Sequence, residues 1–291
     1  MIFIYRNLKN VYNERRNMGN KGNSTAYENL GISNDFMFGK IMSDEKICKP
    51  FLEKLLGIQI DHIQYLDAQK TVNPKVDAHS VRFDIYVDDG KTVYNCEMQT
   101  TTNKNLPKRS RYYQGMIDIN LLRKSMNYSK LKKCFVIFIC TYDPFDKDSY
   151  VYSFRNTCKE YPEMELGDDT YKIFFNTKGK NGSISSEQKE LLKYIQTSEL
   201  PENCTDSLIK DLDYALQMAR NNEEWRNDYM TLELMKQEQY EEGKQEGKQE
   251  AVALFAKVLS EAEKQNVKVD YSKLQNMEYV DELCRILKIS K

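Results

Sequence analysis

The sequence predicts an α/β protein. A mixed sheet flanked by helices is laid down in the order helix, strand, strand, strand, helix, strand, and is followed by an all-helical C-terminal appendage. Three observations carry this. Residues 81–87 alternate strictly, with Val81, Phe83, Ile85 and Val87 on one face and Arg82, Asp84 and Tyr86 on the other, ahead of the tight-turn pair Asp89-Gly90. Residues 134–141, CFVIFICT, are a nearly continuous apolar run, as in a strand covered on both faces. Beyond Pro201 the pattern is helical throughout, and residues 186–250 carry 16 acidic side chains against 8 basic.

Taken in order, residues 1–26 set Arg6, Lys9, Arg15, Arg16 and Lys21 against Glu14 and are expected to form a flexible basic arm, with Met18 as a candidate start. The main domain is expected over 27–200. From Ser33 to Gly57 the spacing of Phe36, Ile41, Ile47, Phe51, Leu52, Leu55 and Leu56 predicts a helix stopped by Gly57. Residues 58–66 alternate towards a strand, 81–87 and 92–99 pair as a hairpin, and 106–126 read as a long helix. Residues 134–141, 150–154 and 171–175 are further strands, and Ser185 with Gln188 makes a capping box before a helix to Thr197. The appendage is expected over 201–291. Leu208, Leu212, Leu232, Met235, Val252 and Phe255 recur there at mostly helical spacing, so the helices need a partner surface and the chain is expected to be a homo-oligomer through them. Gly243 and Gly247 share one face, and since each costs about 1 kcal/mol relative to Ala they predict a hinge or a close helix contact.

Composition removes several function classes. A net charge of −1 over 291 residues leaves no global basic field to draw nucleic acid. The seven Cys include no C-x-x-C pair, which predicts buried thiols in a reducing, cytoplasmic compartment rather than a disulfide or zinc framework. No apolar stretch approaches the roughly 18 residues of a membrane span, so no membrane partner is expected. His62 and His79 are the only histidines, too few for a histidine-based catalytic relay or a His-rich metal site. Hydrolytic chemistry has to rest on carboxylates.

The hairpin supplies them. With Asp89-Gly90 as a two-residue turn, Asp84 faces Asn95 and Arg82 faces Glu97, so Arg82, Asp84, Asn95, Glu97 and Gln99 share one side. Asp84 and Glu97 are then diagonal neighbours roughly 5–8 Å apart at the backbone, close enough to hold one divalent cation. Parity alone favours an ordinary solvated polar face. Against that, helices on both sides in sequence imply a sheet covered on both faces, where an acid pair is costly without a cation or hydrogen bonds.

Asp84 in VRFDIYVDD, Glu97-Met98-Gln99 in YNCEMQ, RSRYYQG and the following CFVIFI together resemble the PD-(D/E)XK nucleases. They are most similar to the recombination-promoting nuclease and putative transposase branch. The upstream SNDFMFGKIM, the downstream KIFFNTKG and the Gly-x-x-Glu-Gly repeats strengthen the resemblance, which covers about residues 33–250. It implies a restriction-endonuclease-like core and a DNA endonuclease using Mg2+ or Mn2+, with Asp84 and Glu97 as ligands, in recombination, transposition or mobile-element and phage-defence processes. Gln99 departs from the pattern, since the superfamily usually has Lys there. Either the cation works alone or a base such as Lys104 or Lys108 substitutes. Asp35 and Glu53 both qualify as the further acid of the leading helix. The alternative that Gln99 favours is a catalytically impaired nuclease fold, serving as a DNA-binding or protein-interaction module that multimerises through its tail.

A polyanionic substrate also suits residues 104–133, where nine Lys and Arg stand against Asp118 alone. Lys104, Lys108, Arg109 and Arg111 adjoin the acid pair in sequence and are the candidate phosphate contacts. Tyr112 and Tyr113 are more in keeping with packing than with stacking on bases.

Overall fold

A computed structural model describes residues 26–68, 70–72, 81–122, 125–274 and 276–289. The expected basic arm, apart from its last residue, and Met18 lie outside the described residues. So do His79, Arg123 and Lys124.

The predicted leading helix is two helices, α1 (Asp35–Met42) and α2 (Glu45–Leu56). Asn34 caps the first by accepting the amides of Phe36 and Met37, and Asp44 caps the second by accepting that of Lys46. The internal cap Asp44, within the polar stretch 43–46, divides the two. Gly57, at φ 65°, is the left-handed stop that the sequence anticipates. Strand β1 (Tyr65–Ala68) starts later than the alternation from 58 suggests, because Ile60 is held by its amide donating to Glu53 Oε1 at 2.8 Å, in a loop.

Strands β2 (Thr71–Val72) and β3 (Val81–Arg82) pair with each other in a small separate sheet. Strands β4 (Ile85–Asp88), β5 (Thr92–Gln99), β6 (Lys133–Cys140), β7 (Val151–Phe154) and β8 (Thr170–Asn176) join β1 in a six-stranded sheet of order β1-β4-β5-β6-β8-β7. The pairs β5-β6 and β6-β8 are parallel and the others antiparallel. Helix α3 (Leu106–Leu121) makes the crossover between β5 and β6 and ends before the anticipated Met126, with Leu122 already extended. It covers one face, where Phe83, Tyr86, Tyr113, Ile117, Val136, Phe138 and Phe174 share a core. On the other, α1 packs against β1 and β5. Every residue of β5 is buried, as expected of a strand covered on both sides.

Two details of the hairpin differ from the sequence reading. The observed register pairs Ile85 with Cys96 and Asp88 with Val93, and the Asp89 amide donates to Thr92 O at 3.1 Å, so Gly90-Lys91 is the turn. Asp88 Oδ1 accepts from Gly90 N (2.8 Å) and Asp89 Oδ1 from Lys91 N (2.9 Å), and these carboxylates draw the turn one residue onward. The slip is two residues across the pair, which preserves the faces and brings Asp84 opposite Glu97 rather than Asn95. In addition, the strand breaks at Asp84, so Phe83 leaves the face of Ile85 and Val87 and packs edge-on against Tyr113, 5.3 Å between ring centres.

Helix α4 (Ser186–Thr197) opens with both arms of the expected capping box. The texture change at Pro201 is not where the chain divides. Helix α5 (Ser207–Arg220) buries Leu208, Ile209, Leu212, Leu216 and Ala219 against α1 and α2. It is tied down by Tyr27 Oη donating to Ala219 O (2.8 Å), by Arg220 Nε donating to Leu30 O (2.9 Å) and by the Lys54–Asp206 ion pair. Of its two acids, Asp211 is exposed and Asp213 accepts from Tyr194 Oη of α4 at 3.3 Å. The described chain divides into two compact units between Trp225 and Arg226. Helix α6 (Glu223–Lys264) passes Gly243 and Gly247 unbroken, with open space about both, so neither is a hinge nor a contact within the described chain. In the second unit it packs with α7 (Met277–Ile286) through Val258, Ala262, Val280, Leu283 and Cys284. No described helix is long and apolar enough to cross a membrane.

Candidate active site

Where backbone pairing of β4 with β5 stops, side chains continue it. The Asp84 amide donates to Glu97 Oε1 (3.1 Å), and the Met98 amide donates to Asp84 Oδ2 (2.9 Å). Each acid therefore bonds the strand that carries the other, and the two carboxylates are fixed in opposition. Asn95 donates Nδ2 to Glu97 Oε1 (2.8 Å) from two residues earlier on the same face. Glu97 is 1% exposed. Among the described residues no hydrogen bond reaches Asp84 Oδ1.

Electrostatics follows from this geometry. Burial raises the Asp84 pKa to about 6, the Met98 amide opposing it and the charge of Asp35 adding to it. Burial, then the Asp84 charge, holds Glu97 well above the ordinary carboxylate range, although Asn95 and Arg109 both favour its ionised form. The pair is short of positive charge.

Arg109 supplies one. From the first turn of α3 its guanidinium turns inward, with Nη2 on Glu97 Oε2 (3.3 Å), Nη1 donating to Gln99 Oε1 (2.9 Å) and Nε donating to Tyr113 Oη (2.8 Å). It lies 4.9 Å from the centre of the Tyr113 ring. Gln99 spends its amide nitrogen on Thr101 O (2.6 Å). Arg109 is thus committed to the acid pair rather than turned outward with the other candidate phosphate contacts. Lys104, Lys108 and Arg111 are exposed at the start of α3. The basic run is not one patch: Lys132 pairs with Asp88 at 2.7 Å and Lys133 lies beside Thr92, the far end of β5, about 23 Å from Gln99 at strand rise.

The leading acids also separate. Asp35 opens α1 and its charge acts on Asp84, whereas Glu53 is paired with Lys49 (3.1 Å) and acts on Tyr94, which lies on the opposite face of β5 from Glu97. Tyr113 is the residue whose part the sequence reading missed. It does pack, as expected, but it also anchors Arg109, and the signal was there in the i, i+4 spacing of Arg109 and Tyr113.

Oxygen donors that are buried, opposed and raised in pKa chiefly by that burial suit a hard divalent cation, which would ionise both at once. Asp84 Oδ1 is open to it and Glu97 Oε2 faces the same side as Arg109. Among the described residues no three of His, Cys, Asp and Glu form a ready-made cluster, so this chain offers two protein carboxylates with Asp35 at longer range.

Residues 32–241 match a family model described as the PD-(D/E)XK nuclease family transposase. No curated protein and no solved structure shows significant similarity to the chain.

Proposed function

This chain belongs to the PD-(D/E)XK nuclease family transposases, and on that premise we propose that it is a metal-dependent DNA endonuclease serving recombination or transposition. The observation that carries the reading is the opposed, buried pair Asp84 and Glu97, held by reciprocal amide bonds at the end of the sheet. Asp84 Oδ1 and Glu97 Oε2 would hold Mg2+ or Mn2+, with Asp35 as the further acid. When bound, the cation supplies an acidified water and a counter-charge for the phosphodiester. Asn95 and the Asp84 amide keep Glu97 in one rotamer, so its carboxylate needs no reorganisation when the substrate arrives. Lys104, Lys108 and Arg111 meet backbone phosphates and fix the duplex without reading its sequence. The protein works as a homo-oligomer through its C-terminal helices.

Plasmid nicking with Mg2+, with Mn2+ and with EDTA tests the reading, alongside Asp84→Asn and Glu97→Gln. Cleavage is expected with either metal, none with EDTA, and a loss of at least about 100-fold in each variant with DNA binding retained. Tight DNA binding without cleavage under any metal would instead support the binding module that the neutral Gln99 favours.

A further inference from the structure

The motif presents an amide where a cation is usual, yet a cation stands beside that amide. Gln99 Oε1 accepts from Arg109 Nη1 at 2.9 Å, and the same guanidinium reaches Glu97 Oε2 at 3.3 Å and donates through Nε to Tyr113 Oη at 2.8 Å. Tyr113 and Phe138 present ring faces to it, 4.9 and 5.7 Å from centre to guanidinium carbon. A guanidinium remains protonated throughout the physiological range, so the positive charge is permanent. Lys104 and Lys108, the substitutes that sequence proximity suggests, are exposed and make no described bond to the acid pair.

We infer that Arg109, reaching over from α3, provides the positive charge that the strand lacks at position 99, with Gln99 and Tyr113 as its positioning residues. The inference rests on the endonuclease reading for its purpose, because the charge would face the scissile phosphate, but the placement itself is a property of the protein alone. Gln99 serves Arg109 as an acceptor. A lysine there would repel the guanidinium, so the amide at 99 and the arginine at 109 form one arrangement rather than a lost lysine and an unrelated base.

A charge exchange tests this in the full-length protein, using Arg109→Met, Gln99→Lys and the two combined. The first readout is Mn2+ affinity without DNA, by calorimetry. If Arg109 is a positive charge beside the cation site, Arg109→Met binds Mn2+ at least about tenfold tighter, Gln99→Lys about tenfold weaker, and the double variant returns to within about threefold of the parent. A merely structural Arg109 predicts the opposite, since its removal would loosen Glu97 and weaken binding, and lysine at 99 would not reverse that. The second readout is nicking, expected to fall about 100-fold in Arg109→Met and to recover to within about tenfold in the double variant. Unchanged or weaker Mn2+ binding by Arg109→Met, a double variant that behaves like it, or no Mn2+ binding by the parent would each overturn the inference. The expected Mn2+ pattern in a protein that cuts no DNA would leave the charge placement standing and defeat the endonuclease reading instead.

Discussion

In the absence of metal the acid pair should make the protein less stable as pH rises, and neutralising Glu97 should relieve this. Asp84 is held at about 6 against an ordinary 3.8. The folded state therefore binds more protons than the unfolded chain between these values, and stability falls as pH rises through that window. At 1.36 kcal/mol for each decade of proton affinity, Asp84 alone accounts for about 3 kcal/mol of stability that is present below pH 4 and gone above pH 6. Glu97, also raised, extends the loss upward. Asp143, Asp168 and Asp206 are lowered by hydrogen bonds that outweigh their burial and act in the opposite sense. The difference between proteins is thus the quantity to measure. Urea melts with EDTA from pH 4 to 8 should find Glu97→Gln, which removes the repelling charge but retains an acceptor for Asn95, gaining on the parent as pH rises, by about 1–3 kcal/mol at pH 7.5. Mg2+ should stabilise the parent more at pH 8 than at pH 5, and Glu97→Gln little at either. A stability difference that does not change with pH, or a Glu97→Gln protein less stable than the parent at pH 7.5, would refute the account of the pair.

Replacing Lys104, Lys108 and Arg111 with Gln should flatten the slope of log affinity against log salt by about 2 to 3 in DNA titrations, whereas replacing Lys132 and Lys133 should leave it unchanged. Truncation after Trp225 should yield a folded protein of lower oligomeric mass by light scattering. Truncation after Leu200 should aggregate, because it strips α5 from the apolar surfaces of α1 and α2. Ser185→Ala should cost about 1 kcal/mol in a urea melt through loss of the capping box.

The sequence was most informative where a pattern constrains parity and least where side chains compete. Alternation put Asp84, Asn95, Glu97 and Gln99 on one face, and every residue of β5 observed in the sheet was within the expected strand. Alternation cannot, however, tell a register from one slipped by two, and two carboxylates in the turn decided that. Apolar residues likewise stand on both sides of Asp44, and the cap there divides α1 from α2. Charge composition does not report which way a side chain or a helix turns. It counted Arg109 with the outward lysines, although Glu97 and Asp84 lie inward, and it grouped α5 with the acidic helices that follow, although its apolar side packs on α1 and α2.

The start of α3 deserves to be seen as a helix built against its own field. Its first turn contains no acid, Asn105 makes no capping bond to it, and Lys108 and Arg109 lie within a turn of the amides that already carry the positive end of the dipole. The exposed charge of Lys108 costs about 0.3–1 kcal/mol relative to a neutral residue there, whereas that of Arg109 is met by Glu97. Helix stability alone would favour Asp or Glu at these positions. The fold instead accepts a weak helix start at the point where α3 meets the carboxylates, so this turn should be the first part of α3 to open in amide hydrogen exchange, and anything anionic that settles on it should close it again.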